Sequence, residues 1–381
     1  MPRVVHLTTF ARSGGGMQSL VRRHRHRDAA LGLDPLVAAI FEPASAGAAD
    51  VGLLAAWWWT PGSLRRRFLA DLRPLLTDAL VVWHNGWALP LLAPGDGALR
   101  RVAMLHTNGP GLDHSVPALA PWCDAILCVN AALAGRVRAL VPGFPPDRVA
   151  VVACPVEPPA GFAPPVRSGG GPLQVGFVGR LEIAEKRVDR LPALMRLAVA
   201  EGVRAEWHVL GDGSRRPWLQ RAVQGLAPTV FHGWLSGDAY WRMLAALDVV
   251  VVLSDSEGGP IALLEAMAAG VIPLYPRIGG LAEEPAGSVE AHCLYPAGDL
   301  AAAARQLAWL LAADRAELGR RARAATAPHT PEAYEAAYAR LLELVLAEPR
   351  RSLATIDRTK GWSDRLPLAA VRRFHETALW R

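Results

Sequence analysis

The chain has 381 residues, 51% of them apolar, and 41 basic against 35 acidic side chains for a net charge of +6. That is enough apolar chain for two ordinary domains with sizeable cores, and too much for a disordered polymer. No uninterrupted apolar run is long enough to span a bilayer, and the opening MPRVVHLTTF lacks the long apolar stretch of a secretory signal. Short apolar runs predict strands at 4–8, 36–40, 80–83, 102–105, 125–129 and 149–153, with helices between several of them, including 18–31 and 131–140. A Pro/Gly-rich linker follows at 155–172, PVEPPAGFAPPVRSGGGP. The alternation restarts with strands at 173–178, 206–210, 230–232, 249–253 and 271–275, and ends in a helix at 331–346. This is the pattern of two doubly wound parallel α/β halves. The expected domains are 1–160 and 172–346, with a tail at 347–381.

Cys123, Cys128, Cys154 and Cys293 have neither Cys-x-x-Cys nor zinc-finger spacing, so reduced structural cysteines in a cytoplasmic protein are expected. Nearly all basic residues are arginine; lysine occurs only at Lys186 and Lys360.

The most informative stretch is SEGGPIALLEAMAAG, Ser256 to Gly270. Glu257 lies in a Gly-rich turn, and Pro260 suits the first position of the helix that follows. Glu265 is the only charge of that helix, and its neighbours at three and four residues are Ile261, Ala262, Ala268 and Ala269. A carboxylate on an apolar face needs a partner or a ligand. Amides of Gly258 and Gly259 can approach a phosphate without side chains in the way. Upstream, GFVGRLEIAEKRVDRL places Arg180 and Lys186 after a buried-type strand, at the end where α/β proteins bind ligands. Gly211-Asp212-Gly213 closes the next strand, where a plain turn explains it as well as ligand contact. Gly14, Gly15 and Gly16 follow the first strand and can bring backbone amides to a phosphate, without the spacing of a dinucleotide fingerprint.

Together these segments resemble the Glu-x7-Glu motif and its companions in retaining glycosyltransferases of the GT-B fold, most closely glycosyltransferase family 4. The resemblance runs from the first strand to the helix near Leu346, with its specificity in residues 176–284. It implies two Rossmann-like domains facing an interdomain cleft. It also implies transfer of a sugar, with retention, from a nucleotide-diphosphate sugar to a glycan, lipid-linked or small-molecule acceptor. By that resemblance Glu257 meets donor-sugar hydroxyls, Glu265 the ribose, and Arg180 and Lys186 the diphosphate. Gly15, Gly16, Gly211, Gly258 and Gly259 line the donor site. His106 fits the family's sugar-facing histidine better than His84 does. Gly279, Gly280 and Glu283 match a further loop, and Asp248 is read as structural. Two cations and a helix N-terminus offset the leaving diphosphate, and Asp-x-Asp is absent, so no metal and no cofactor are expected. The sequence departs from the family at Asn130, where serine is usual, and at Cys154-Pro155, in place of Asn-Gly.

Two other readings share these residues: a GT-B nucleotide-sugar epimerase and a non-catalytic sugar-nucleotide binder. A nucleic-acid partner leaves the motifs of 176–284 unexplained. Arg22-Arg23-His24-Arg25-His26-Arg27, Trp57-Trp58-Trp59 and Arg65-Arg66-Arg67 suit either solvated and packed positions or peripheral contact with the inner membrane face. In the tail, Leu368, Val371, Phe374 and Leu379 are expected to pack on the N-terminal domain.

Overall fold

The computed structural model describes residues 2–11, 16–45, 48–75, 79–84, 100–108, 112–165, 171–183, 186–278, 283–347 and 368. The chain divides into two compact units, Met1–Ala153 with Tyr334–Arg381, and Cys154–Ala333.

Unit 1 contains β1 (Arg3–Thr8), α1 (Gly16–Ala30), β2 (Asp34–Ala39), β3 (Val51–Gly52), α2 (Pro61–Asp71), β4 (Leu80–Trp83), β5 (Arg100–Leu105), α3 (Leu112–Leu119), β6 (Ala125–Cys128), α4 (Ala131–Leu140) and β7 (Val149–Val151). The strands form a seven-stranded sheet ordered β3-β2-β1-β4-β5-β6-β7. Its ladders are parallel. Strands β4 (LVVW) and β6 (AILC) are buried at every position, as covered parallel strands require. Asn130 caps α4, its Oδ1 accepting from the Leu133 amide at 2.7 Å. Asn and Ser are both good N-caps, which accounts for the departure from the serine of the resembled family.

The helix α12 (Pro331–Ala347) closes this unit, burying Tyr334, Tyr338, Leu341, Leu342 and Val345. Tyr334 donates its hydroxyl to His24 Nε2 at 2.7 Å. Arg27 Nε lies 3.1 Å from Glu335, and the Arg27 guanidinium sits 4.9 Å from the Tyr334 ring centre. These contacts correct the expected boundary at 346, because α12 from Tyr334 onward packs within unit 1. The boundary expected at 160 also moves. The Val156 amide donates to His329 O at 2.9 Å, so the linker's first residues fold with unit 2. In the tail, Leu368 is fully buried and its amide donates to Trp59 O at 2.7 Å. Val371, Phe374 and Leu379 lie outside the described residues.

Unit 2 contains β8 (Leu173–Val178), α5 (Leu191–Ala200), β9 (Ala205–Leu210), α6 (Arg216–Val223), β10 (Thr229–Gly233), α7 (Gly237–Ala245), β11 (Val249–Val251), α8 (Ile261–Ala268), β12 (Ile272–Arg277), α9 (Glu283–Val289), β13 (Leu294–Pro296), α10 (Leu300–Leu310) and α11 (Arg315–Ala325). Its six-stranded sheet is ordered β10-β9-β8-β11-β12-β13. Asp248, ahead of β11, accepts from the Gln174 amide at 3.0 Å and from Arg315 at 3.0 Å. Its backbone bonds to Gln174 and Ile272, so it joins three strands. In each sheet the strand order reverses once, between β1 and β4 and between β8 and β11. Open α/β sheets bind ligands beyond the carboxyl ends of strands at such a switch point. No helix among the described residues is long and apolar enough to cross a membrane.

Leu368→Ala is expected to destabilise the protein by about 2–5 kcal/mol, the usual cost of truncating a fully buried leucine. Urea unfolding monitored by circular dichroism measures it.

Candidate functional site

The switch point of unit 2 is built by the loops after β8 and β11. Gly179 ends the first strand at φ +150° and Gly211 ends β9 at φ +136°. A Cβ on Gly211 would lie 2.0 Å from Gly179 O, and one on Gly213 would lie 2.6 Å from Leu181 O. Only glycine allows this backbone-to-backbone approach. The approach explains Gly211 fully, without the donor contact expected of it. Lys186 lies over Gly179, its Cε 3.4 Å from where a Cβ would stand.

Lys186 Nζ reaches across the switch point to Glu257 Oε1 at 2.6 Å. Ser254 Oγ donates to the same oxygen at 2.6 Å. A second clamp lies beside the first. Arg190 bonds Asp255 at 2.6 Å and Leu253 O at 2.7 Å, while Arg187 bridges Asp255 and Asp189. Arg187 adopts a left-handed φ of +46°, a strained state that such ion pairs hold in place. Ser254 and Asp255 carry no sequence signal of their own, although they lie three and two residues before Glu257.

Pro260 sits at the N-cap of α8, one residue before the position expected of it. Gly258 is buried and Gly259 half-buried at the helix entry. Glu265 is half-buried, and Tyr240 donates its hydroxyl to Glu265 Oε2 at 2.8 Å. Burial, reinforced by Glu265, pushes the Tyr240 hydroxyl well above its ordinary pKa, so the phenol remains the donor. Burial likewise raises Tyr275, with Glu257 and then Glu283 adding to it. Tyr240 had no sequence signal, since it lies on α7, 25 residues from its partner. Arg180 is exposed, on the loop that carries Lys186. Gly279 and Gly280 lie outside the described residues, as do Gly14 and Gly15; Gly16 is the exposed first residue of α1.

His106 lies in unit 1, just past β5, at the end of a row of rings. His84 Nδ1 is 3.1 Å from His106 Nε2, and His84 Nε2 is 2.9 Å from His6 Nδ1. His6 Nε2 meets Asp28 Oδ2 at 2.6 Å, and His24 Nδ1 meets Asp28 Oδ1 at 3.2 Å. Burial, then the neighbouring His6, pulls His24 down to about 4 despite Asp28. Burial, then His24, pulls His106 to about 4 as well. His84 falls well below its ordinary value for the same reasons, burial first and then His6. Burial pushes the Asp28 carboxyl up, but His6 and His24 outweigh it and hold it below the carboxylate range. The basic run on α1 is therefore partly internal. His24 and Arg27 are buried, Arg25 pairs with Asp50 at 2.9 Å, and Arg22 donates to Ala11 O at 3.2 Å. Trp57 stacks on Phe41, with ring centres 4.0 Å apart, while Trp58 is 77% exposed.

Two outcomes follow from this geometry. Gly211→Ala is expected to cost about 3 kcal/mol or more, combining overpacking with a φ that L-residues resist; thermal unfolding measures it. The depressed histidines bind protons more readily once unfolded. Stability is thus complete above about pH 6.5 and falls as the pH drops towards 4, with unfolding taking up about two to three protons. Urea midpoints between pH 4 and 8 measure that slope.

Residues 172–313 match the family model described as Glycosyl transferases group 1. The chain is 36% identical over 212 residues to a 2-deoxystreptamine N-acetyl-D-glucosaminyltransferase of Streptomyces fradiae, covering 55% of this chain and 47% of that one. It is 32% identical over 213 residues to a 2-deoxystreptamine glucosyltransferase of Streptomyces kanamyceticus, covering 55% and 51%. The matches thus span about half the length of these relatives. Among solved structures, Anabaena HepE in complex with UDP and glucose superposes with a TM-score of 0.67 at 16% identity, over 90% of this chain and all of that one. The two Rossmann-like units therefore have the GT-B fold.

Proposed function

We infer, for a chain whose residues 172–313 form a Glycosyl transferases group 1 domain, that it moves a sugar from a nucleotide-diphosphate donor to an acceptor hydroxyl, with retention and without a metal. The observation that carries this reading is the convergence of Lys186 and Ser254 on one oxygen of Glu257, across the switch point of unit 2. Both bonds land on Oε1, so Oε2 is the atom offered to the hydroxyls of a sugar. An ammonium has three donors, and one is spent on Glu257, leaving two for phosphate oxygens. Lys186, Arg180 and the α8 N-terminus, worth about half a charge, together offset most of the charge of a departing diphosphate. Glu265, hydrogen-bonded by Tyr240, is assigned the ribose, from whose hydroxyls it would accept. No side chain is assigned as a nucleophile; the departing phosphate takes the acceptor's proton, and the glutamates act by positioning. His106 is assigned to the donor sugar.

The first donors to test are UDP-glucose and UDP-N-acetylglucosamine, since HepE is complexed with UDP and glucose and the Streptomyces fradiae relative is named for N-acetylglucosamine. Two relatives named for 2-deoxystreptamine make an aminocyclitol the first small-molecule acceptor to try. Among the described residues of these clusters, contact with an anionic membrane keeps the exposed carriers His26, Trp58, Arg66 and Arg67, because His24 and Arg27 are internal.

A true donor at about 100 times its Kd stabilises the protein by about 2.7 kcal/mol in a thermal-shift screen. Glu265→Ala is expected to weaken UDP binding about tenfold, as loss of a charged hydrogen-bond acceptor does. Glu257→Ala is expected to lower turnover about 100-fold while changing UDP affinity less. Transfer should persist in excess EDTA. Unchanged binding and turnover in both variants overturns the residue roles, and full loss on chelation overturns the metal-free mechanism.

A further inference from the structure

The row of rings in unit 1 has a direction. Its far end is Asp28, an ionised carboxylate that only accepts hydrogen bonds. A singly protonated His6 therefore carries its proton on Nε2, 2.6 Å from Asp28 Oδ2, which leaves Nδ1 as a lone pair. His84 Nε2, 2.9 Å away, must donate to that lone pair, and so His84 Nδ1 is itself bare. The Nε2 of His106, 3.1 Å from it, must donate in turn. Reversing any one neutral ring sets two protons or two lone pairs against each other. The other carboxylate oxygen is occupied by His24, whose Nε2 accepts from Tyr334. The Tyr338 ring packs on His24 with centres 4.8 Å apart, closing the far end from water.

Backbone register builds the row. Strand β1 pairs with β4 so that His6 faces Val82, and His84 lies two residues further on the same face. Strand β4 pairs with β5 so that Trp83 faces Ala103, which sets Met104 beside His84 and His106 two residues beyond it. Each step climbs towards the carboxyl end of the sheet. His6 is fully buried, His84 is 3% exposed, and His106 is half-buried at the rim.

We propose that Asp28, His6 and His84 are positioning residues that fix the tautomer of His106, so that its Nδ1 lone pair is the atom presented for a substrate hydroxyl. The role in transfer rests on the reading of His106 as sugar-facing; the tautomer does not. With one proton on each ring of the row, His106 Nδ1 accepts a hydrogen bond rather than donating one. A sugar hydroxyl that must donate is then selected over an analogue that lacks it.

Nitrogen-15 NMR of the histidine rings in the unmodified, ligand-free protein at pH 7 tests the row directly. The expected result is a slowly exchanging proton on Nε2 of His6, His84 and His106, with His106 Nδ1 unprotonated. His84→Phe keeps a ring in place but cannot donate or accept. It should let the His106 proton exchange freely and lower turnover of UDP-glucose or UDP-N-acetylglucosamine about tenfold, one hydrogen bond's worth. His84→Gln can accept from His106 and donate to His6, and should recover the slow proton and most of the turnover. A proton on His106 Nδ1, or an unchanged His106 signal in His84→Phe, overturns the proposal. So does a stoichiometric metal ion on His6, His24 and Asp28, whose ligand atoms lie within 4.8 Å of one another, because it would displace the ring protons. Normal turnover in His106→Ala, with the tautomers as expected, instead removes the functional reading and leaves the row standing.

Discussion

A doubly wound parallel sheet has one place where two neighbouring strands send their connections in opposite directions, and the gap between those connections must be spanned by something. The two units span it differently. In unit 2 the gap between β8 and β11 is bridged by Lys186 and Glu257, at the level of the loops. Their side chains are 24% and 10% exposed, so the pair is only partly withdrawn from water. In unit 1 the bridge between β1 and β4 is His6 to His84, inside the sheet. Burial there penalises charge, and it holds His84 well below its ordinary pKa. Depth in the sheet thus separates an ion pair among the loops from a row of hydrogen-bonded rings that ends on a carboxylate.

Unit 2 repeats the ring geometry without the anion. Val230 on β10 faces His208 on β9, and His232 lies two residues further. Its rings are 5.3 Å apart and inclined by 22°, as are those of His84 and His106. Stacked histidines on adjacent parallel strands are therefore a product of register alone. His208 Nε2 ends on the amide oxygen of Gln174 at 2.7 Å, a neutral partner. The carboxylate of Asp28, which only accepts, is what gives the unit 1 row its polarity.

Strands with four or more buried apolar residues were legible because parallel strands covered on both faces must be continuously apolar. Strands β3 and β13, two and three residues long, gave no such signal. Glu257, Glu265 and Lys186 were legible because a lone charge in an apolar or glycine-rich setting is conspicuous. Their partners were not. Tyr240 is one of several aromatic residues on amphipathic helices, and only the fold brings it to Glu265. The run Arg22 to Arg27 is partly internal for a helical reason: His24 and Arg27 are three residues apart, share a face, and that face is inward. The same inward face draws α12 into unit 1, which periodicity along α12 alone had no means to report.

Unit 1 is discontinuous, and this bears on the order in which the protein is made. Its first segment ends at Ala153 and its second begins at Tyr334, after the whole of unit 2. At typical elongation rates the intervening chain takes roughly 10–40 s to emerge from a ribosome. During that time unit 1 already has the strands of its sheet, but His24 lacks the Tyr334 hydroxyl and the Tyr338 ring that cover it, whereas unit 2 is whole once Ala333 is made. The nascent chain therefore completes its second unit first. The first waits with one helix face bare, a natural place for a chaperone to hold it.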